Sequence, residues 1–241
     1  MHADDTAPQP LVEACGDVWV IVDWFDHPHA NAAARKLAAR LRAEPQDFAS
    51  EAVTGVRTLA VRLAEPPPDA PRGTRSLYRE AAMRWLEDRA SQAHTWVLPE
   101  GREVQLPACY APALAPDLAS VAAATGLAVE SVVQLHLASQ FTVEVVGFMP
   151  GFAYLGGLQP ALALPRRAAP RPRVHEGSIA IAGTQSAVYP RPTPGGWHLI
   201  GRCPVRLFDP FRTPPAVLQE GDRVRFERIG PEDFAQLWSQ R

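Results

Sequence analysis

Lysine is almost missing from this sequence. Lys36 is the single lysine among 24 basic residues. A lysine that forms a Schiff base or binds phosphate in a loop would have to be Lys36, and residues 29–42 around it predict an amphipathic helix instead. The pattern GxxxxGK[ST] is absent, which excludes a Walker-type nucleotide site. The cationic chemistry of the chain therefore belongs to arginine.

Cysteines are few as well. Three of them, Cys15, Cys109 and Cys203, lie far apart in the sequence. Since no C-x-x-C pair occurs, neither a disulfide framework nor a structural zinc site is predicted. Cys203 follows Arg202, so it is either a reactive thiol or a small buried apolar residue, and we favour burial.

Long apolar segments are also lacking. The first ten residues, MHADDTAPQP, are acidic and have no apolar core, so they do not predict a signal peptide. We expect residues 1–10 to be disordered. No run of 18 apolar residues occurs, so no membrane span is predicted. We therefore expect a cytoplasmic, reduced protein that does not bind membranes.

Acidic residues are scarce in one part of the chain. Residues 145–208 carry seven arginines and one acid, Glu176, although the net charge of the whole chain is −2. These arginines lie among glycines and prolines, which allow a backbone to approach a ligand closely. The pattern predicts binding of a carboxylate, a phosphate or an acidic surface on a partner. Because the positive charge is local, nucleic-acid binding is not expected.

Hydrophobic patterning predicts an α+β protein of two domains. The first, residues 11–103, alternates strands and helices, which favours a small N-terminal α/β sandwich domain. Its predicted strands are 17–23, 55–63 and 94–98, and its predicted helices are 29–42 and 76–91. The composition changes at Gly101, so we place the domain boundary just after it.

The second domain, residues 104–241, is predicted to be mostly β. A strand at 104–106 and two helices, 115–126 and 129–139, precede short strand-like runs that are broken by glycine and proline. Such punctuation is typical of an antiparallel sandwich or barrel. His136 lies at an apolar position of the second helix, so we favour a hydrogen-bonded core histidine over a ligand. One or two helical turns are expected at 231–238.

The segment PGGWHLIGR at 194–202 combines a turn with a strand. Gly195 and Gly196 permit a positive φ and expose backbone N–H groups that can bind an anion. Trp197 and His198 then fall on opposite faces of the strand. Arg202 comes just past the last glycine, where its side chain can turn toward a pocket. The alternative interpretation of this segment is a hairpin whose tryptophan packs in the core.

Arg171 and Arg173 alternate with prolines in the extended segment 164–178, which cannot be helical throughout. Two guanidinium groups held on one side of such a chain suit bidentate capture of a carboxylate or phosphate. A solvated basic loop is the alternative interpretation.

Polar and aromatic candidates complete the predicted site. Tyr154 lies in GFMPGFAYLGGL at 147–158, where the aromatic rings either line a pocket or pack in the core. Gln185 follows Thr184 and can read an amide or a carbonyl group. Glu176 is the local candidate for a general base. None of the histidines has metal-ligand spacing with a carboxylate, so no metal site is predicted.

Several motifs in order resemble the family of 5-oxoprolinase B subunits, also known as the KipI or allophanate hydrolase subunit 1 family. They are GFMPGFAYLGGL, LPR…PRPRV, GSIAIAGTQSAVYP and PTPGGWHLIGRCPVRLFDP, within residues 104–229. The chain differs from the usual family pattern at ACYAPALAPDL, Phe141 and His175. The resemblance implies a cyclophilin-like β-barrel domain after a small α/β domain, as in carboxyltransferase subdomains C and D.

The resemblance also implies an activity and partners. Family members join a homologous C subunit of the carboxyltransferase subdomains A and B type, with the site between the two barrels, and an A subunit of the LamB/YcsF type. Together they open 5-oxoproline to glutamate with ATP and Mg bound in the complex, so the chain is expected to be inactive alone. Arg202, His198 and Gln185 would be catalytic. The residues expected to bind substrate or an anion are Arg171, Arg173, Gly195, Gly196, Trp197, Tyr154 and Thr184.

Two other functions fit the resemblance. The first is a carboxyltransferase or allophanate-hydrolase-type subunit that acts on urea-like amides. The second is a non-enzymatic inhibitor of a histidine kinase, like KipI, which would bind its partner without any dependence on nucleotide.

Overall fold

Apolar residues collect into separate cores on either side of residue 99. The structure is a computed structural model that describes residues 9–25, 27, 29–98 and 100–241. Residues 1–8 lie outside this description, and they make up most of the segment 1–10 that is predicted to be disordered. The chain divides into an N-terminal unit, residues 1–99, and a C-terminal unit, residues 100–241. This division falls a few residues before the predicted boundary.

The N-terminal unit contains an antiparallel sheet of four strands in the order β1-β2-β4-β3, together with two helices. Its elements are β1 (Leu11–Cys15), β2 (Trp19–Asp23), α1 (Ala30–Ala43), β3 (Ala49–Thr54), β4 (Thr58–Leu63) and α2 (Thr74–Ala90). Leu37 and Leu41 of α1 and Leu86 of α2 are buried in one core with Val20, Val22 and Leu59 of the sheet. The predicted helices and their apolar faces are thus confirmed in outline.

Two expectations for the N-terminal unit are wrong. Residues 93–95 form a short 3-10 helix instead of starting a strand at 94–98, and Val97 is 92% exposed. Helical spacing in 76–91 also predicts Leu77 on the apolar face of that helix, but Leu77 is exposed, because α2 buries Ala82, Leu86 and Ala90 instead. Strands β1 and β3 were not predicted. Most of their residues are exposed, so they lack the apolar alternation that identifies β2 and β4.

The C-terminal unit is built on a mixed sheet of seven strands in the order β12-β9-β10-β7-β6-β13-β5. Strands β8 and β11 form a separate pair. The strands are β5 (Glu103–Ala108), β6 (Phe141–Val146), β7 (Ala153–Gly156), β8 (Arg171–Val174), β9 (Ser178–Ala182), β10 (Gln185–Val188), β11 (Thr193–Gly195), β12 (His198–Arg202) and β13 (Arg223–Arg228). The helices are α3 (Leu118–Thr125), α4 (Val129–Ala138) and α5 (Pro231–Ser239).

The seven-stranded sheet closes on itself almost completely. Cys109, which directly follows β5, exchanges two backbone hydrogen bonds of 2.8 Å with Arg202 of β12, the opposite edge strand. The sheet is therefore barrel-like, and the predicted α+β class is confirmed. Gly126 ends α3 with a φ of 70°, as expected of a C-cap glycine.

A row of hydrogen-bonded polar side chains in the core connects α4 with β10. His136 is fully buried, and its Nδ1 lies 2.8 Å from the Tyr110 hydroxyl. Its Nε2 lies 3.1 Å from Ser186 Oγ, which donates to the Ala180 carbonyl. Burial lowers the pKa of His136 to about 3 and raises the pKa of Tyr110. The prediction of a hydrogen-bonded core histidine is confirmed.

No single helix among the described residues is long and apolar enough to cross a membrane. Helices α3 and α4 reach that length and composition only as a pair bent by 93°.

Candidate functional site

Strand pairing places a set of small and polar residues on one side of the seven-stranded sheet. Directly paired residues of antiparallel strands share a face. Gln185 of β10 pairs with Gly156 of β7 and with Ala182 of β9. Ala187, two residues further along β10, pairs with Ala180. We call this side the aromatic face, since aromatic rings cover its alanines.

Four aromatic rings pack together on the aromatic face. The centroid of the Phe152 ring lies 4.9 Å from that of Tyr154, 5.4 Å from that of Tyr189 and 6.2 Å from that of Trp197. Phe152, Tyr189 and Trp197 are buried, so they pack as core residues. Tyr154 is half-buried. Of these four residues, Tyr154 therefore keeps the largest accessible surface for a ligand.

Positive charge flanks this aromatic cluster. The Arg166 guanidinium carbon lies 6.0 Å from the centroid of the Trp197 ring. Burial raises the pKa of Tyr189, and the charges of Arg166 and Arg171 oppose that rise because they favour the phenolate. Arg166 and Arg171, two of the seven arginines within residues 145–208, thus lie beside the aromatic face.

A carboxylate that the sequence interpretation missed also lies on the aromatic face. Glu144 is the extra residue of a β-bulge in β6, between the pairs Val143–Leu155 and Val145–Tyr154. Its Oε2 accepts a 2.8 Å hydrogen bond from Gln185 Nε2. Glu144 lies one residue before the arginine-rich segment 145–208, in which Glu176 is the single acid. Thr184, next to Gln185, is exposed.

Asp117 holds two of the predicted arginines at the edge of the sheet. Its carboxylate is 4% exposed and accepts hydrogen bonds from Arg171 Nη2 at 2.5 Å and Arg167 Nη1 at 3.2 Å. It also accepts the backbone N–H of Leu199 at 2.7 Å. The arginine-rich segment therefore has an internal counter-ion, which comes from a residue about fifty positions away.

Three polar atoms around Asp117 are buried without a hydrogen-bond partner among the described contacts: Arg167 Nε, Arg171 Nη1 and His198 Nδ1. The other nitrogen of His198, Nε2, lies 2.9 Å from the Pro165 carbonyl and donates to it. The two arginine N–H groups can donate to a bound water or an anionic oxygen. The edge of the sheet can therefore accept one more polar group.

The turn glycines of the PGGWHLIGR segment lack the positive φ that is predicted for them. Neither Gly195 nor Gly196 has a positive φ. Gly195 lies in β11 opposite Arg171, where an added Cβ would be 2.6 Å from the Tyr189 hydroxyl. Gly196 accepts the backbone N–H of Arg167 through its carbonyl. Close packing, and not a left-handed turn, requires Gly195.

Arg202 contacts the C-terminal helix. Its Nε donates to the Glu176 carbonyl at 2.8 Å, and its guanidinium carbon lies 4.4 Å from the centroid of the Trp238 ring. Burial lowers the pKa of Arg202, with a further contribution from Arg241. The carboxylate of Glu176 is engaged in an ion pair with Arg241.

The predicted site residues are thus only partly brought together. Gln185, Tyr154 and Trp197 belong to the aromatic face. His198 pairs with Ile181, whose side chain lies in the core on the other side of the sheet. Arg202 lies against the C-terminal helix, and Arg173 is exposed. The three predicted arginines have different surroundings, since Arg171 pairs with Asp117, Arg202 contacts the C-terminal helix and Arg173 is exposed.

None of these residues lines a cavity of about 660 Å³ in the C-terminal unit. Its walls are apolar apart from Arg228, whose guanidinium reaches Glu130 at 2.6 Å. We place the chemistry on the aromatic face, since polar groups converge there and not in this cavity. Among the described residues, no group of three or more His, Cys, Asp or Glu side chains is arranged to hold a metal ion.

Comparison with known proteins identifies the family. Residues 10–218 match the family described as carboxyltransferase domain, subdomain C and D. The chain belongs to this family. It is 43% identical over 195 residues to the B subunit of 5-oxoprolinase from Escherichia coli O157:H7, covering 79% of this chain and 82% of that protein. The protein of the same name from Bacillus subtilis (strain 168) is 41% identical over 164 residues, 68% of each chain. The resemblance to the 5-oxoprolinase B subunits is confirmed.

Two of the solved structures that superpose on this chain are longer chains. The crystal structure of TTHA0988 superposes with a TM-score of 0.71 at 34% identity, covering 91% of this chain and 40% of that chain. The urea amidolyase of K. lactis gives a TM-score of 0.74 over 99% of this chain and 16% of its own length. At 15% identity, this second likeness concerns the fold alone. The present chain thus spans less than half of the length of either protein.

Proposed function

We propose that this chain is the B subunit of an ATP-dependent 5-oxoprolinase, which opens 5-oxoproline to glutamate. The observation that carries the proposal is the 43% identity, over 79% of the chain, to a protein named as the B subunit of 5-oxoprolinase. The aromatic face supports it chemically. An amide side chain, a carboxylate and a half-buried tyrosine suit a small polar ring, and arginines nearby suit its carboxylate.

The chemistry explains why a nucleotide is needed. A lactam carbonyl is a poor electrophile, and ATP supplies a phosphoryl group that activates its oxygen. The charge that develops is stabilised by fixed cations. Arg171 retains a buried donor without a partner, and Arg173 is exposed beside it in β8, so both suit an anionic oxygen. The catalytic roles of Arg202, His198 and Gln185 stay predictions.

The proposal includes partners. The relatives are named as B subunits, which implies a complex of several subunits. We propose a homologous C subunit that completes the site, an A subunit of the LamB/YcsF type, and ATP with Mg bound in the assembled complex. The chain alone is then inactive. A cytoplasmic location agrees with a reaction that consumes ATP.

Reconstitution tests this function. The chain is co-expressed with a homologue of the C subunit and a homologue of the A subunit, and the purified complex is assayed for ATP hydrolysis and glutamate formation. We expect both only when 5-oxoproline is present, in equal amounts, and neither with this chain alone. A complex that assembles but hydrolyses no ATP with 5-oxoproline contradicts the proposal.

The other functions are outcomes of the same assay. A panel of lactams and urea-like amides separates 5-oxoproline from an allophanate-type substrate. Binding of a partner without any effect of nucleotide would indicate an inhibitor of the KipI kind. Sequence similarity to the B subunits of 5-oxoprolinase favours neither of these alternatives.

A further inference from the structure

The Glu144–Gln185 pair spans three strands of the aromatic face. Glu144 lies in β6, and Gln185 lies in β10, with β7 between them. The bulge in β6 directs Glu144 toward β7, in agreement with the known use of bulges to re-aim a side chain next to an active site. The 2.8 Å contact with Gln185 then fixes the carboxylate beside the amide group.

Gly156 of β7 makes this arrangement possible. A Cβ at position 156 would lie 1.9 Å from Glu144 Oε1 and 2.1 Å from its Cδ. The carboxylate therefore occupies the space above the glycine that any other residue would fill. Gly156 is buried beneath it, while Glu144 and Gln185 are both half-buried and accessible from the same side.

The pair is complementary to one class of amide. A carboxylate is an acceptor, so Gln185 must direct an N–H toward Glu144, and the same nitrogen carries a second N–H. An acceptor and a donor thus stand side by side. In a lactam the ring forces N–H and C=O onto the same side, whereas open-chain secondary amides hold them on opposite sides in the trans form. Among secondary amides, only the cyclic form can therefore engage both groups at once.

We propose that Glu144 and Gln185 recognise the lactam edge of the substrate. Glu144 accepts the ring N–H, Gln185 donates to the ring carbonyl, and Gly156 is a positioning residue for the carboxylate. This assignment rests on the proposed 5-oxoprolinase function and names the part of the site that selects a cyclic amide. Tyr154, two residues from Gly156 on the same face, would contact the ring.

The test uses the reconstituted complex and variants of this chain. Glu144→Ala removes the acceptor, and Gly156→Ala displaces it without altering a reacting group. Glu227→Ala is the matched control, because Glu227 accepts a 3.0 Å hydrogen bond from Gln105 across two strands on an exposed surface. Gly147→Ala controls for the added methyl group, since its nearest atom outside the adjoining residues would be 3.9 Å away. Assembly is checked by size-exclusion chromatography.

Two quantities are measured for each complex: kcat/KM for 5-oxoproline, and the inhibition constant of N-methyl-5-oxoproline, which lacks the ring N–H. We expect Glu144→Ala and Gly156→Ala to lower kcat/KM by about tenfold or more, as expected when a site built for an N–H loses its acceptor. We also expect Glu144→Ala to bind the N-methyl compound more tightly than the unaltered complex does. Both controls should match the unaltered complex.

Each other result overturns the assignment. Equal kcat/KM in Glu144→Ala, Gly156→Ala and the controls excludes a role for the pair. Lower kcat/KM with no gain in binding of the N-methyl compound indicates a structural role and excludes recognition of the ring N–H. If the unaltered complex hydrolyses no ATP with 5-oxoproline, the proposed function itself has failed, and this assignment fails with it.

Discussion

The two units of this chain bury polar groups to very different extents. In the N-terminal unit, arginines pair with acids at the surface, as in Arg84–Glu80, where the side chains are 70% and 57% exposed. In the C-terminal unit, Asp117 and Asp222 are each 4% exposed and each bound to arginine. Among the described residues, Thr54 is the buried polar residue of the first unit, whereas the second buries six.

That difference indicates where function lies. Burying a charge is costly unless several partners satisfy it, so a plain structural layer avoids it. The C-terminal unit accepts this cost at Asp117, and it keeps unpartnered donors, a bulge carboxylate and an aromatic cluster in the same region. Buried polar groups that are left without a hydrogen-bond partner in a folded protein call for an explanation, and a functional site is one. The ion pairs described in the N-terminal unit lie largely at its surface, as in Arg84–Glu80.

The largest expected effect comes from removing a buried carboxylate. Asp117→Ala leaves two arginines without their counter-ion and the Leu199 N–H without an acceptor, so we expect the free energy of unfolding to fall by about 3–5 kcal/mol. Asp88→Ala is the matched control in the N-terminal unit, since Asp88 is 66% exposed and pairs only with the adjacent Arg89 among the ion pairs described. Its cost should not exceed about 1 kcal/mol. Denaturant titration measures both, and equal losses would abolish the contrast between the units.

A glycine comparison should give the next largest effect. Gly101→Ala places a methyl group 1.8 Å from the Gly221 carbonyl oxygen, so the backbone must move, at a cost of about 2–3 kcal/mol. In Gly16→Ala of the N-terminal unit, the added methyl group meets no atom within 4 Å. The φ of 63° is the remaining strain, and it should lower the free energy of unfolding by about 1 kcal/mol. Thermal denaturation of the two variants tests whether close backbone packing is specific to the C-terminal unit.

Acid should weaken the C-terminal unit through His136. Burial lowers the pKa of His136 to about 3, so the unfolded chain binds a proton below pH 6.5 that the folded chain does not. The contribution of the buried His136 to the free energy of unfolding is fully present above pH 6.5 and is lost as the pH falls toward 3. Between pH 7.5 and pH 5 the loss is about 2 kcal/mol. Hydrogen exchange of peptides from 100–241 measures it.

The control for this pH dependence is an exposed histidine of the same unit. His175 lies at the surface, so His175→Ala should leave the dependence in place. Protection that stays constant down to pH 5 would mean that His136 is hydrated or charged in the folded protein.

Local pattern predicted the elements that bury one clear face. Leu37 and Leu41 identify α1, and Gly126 marks the end of α3, because spacing and capping act over a few residues. The segment 94–98 is wrongly predicted as a strand for the same reason, because its apolar residues favour a strand although Val97 is exposed in the structure. Strand β3 has no such face and was missed.

The site was harder to predict because its contacts join distant residues. Asp117 meets Arg171 fifty-four positions later, and Glu144 meets Gln185 forty-one positions later. Gln185, Tyr154 and Trp197 could be selected by their residue type. The direction of Glu144 depends on a bulge and on Gly156, and neither is visible in the spacing of one segment. The arginine excess showed the sign of the charge but not its counter-ion.

The smallest expected effect concerns the rates at which the thiols react, and these rates can report on each unit separately. Cys15 is exposed, whereas Cys109 and Cys203 are buried, and burial raises the pKa of the Cys203 thiol to about 12. We therefore expect one thiol to react quickly with a disulfide reagent at pH 8 in the folded protein and three to react after denaturation. Rapid reaction of Cys203 in the native protein would contradict its predicted burial.

The slow thiol reaction then measures opening of the C-terminal unit, because a buried thiol reacts only when its surroundings open. Asp117→Ala should speed the labelling of Cys203, identified by mass spectrometry, and leave the rate of Cys15 unchanged. Asp88→Ala should change neither rate. If Asp117→Ala destabilises the protein without speeding Cys203, then Asp117 and Cys203 open in different steps, and the C-terminal unit is not one cooperative body.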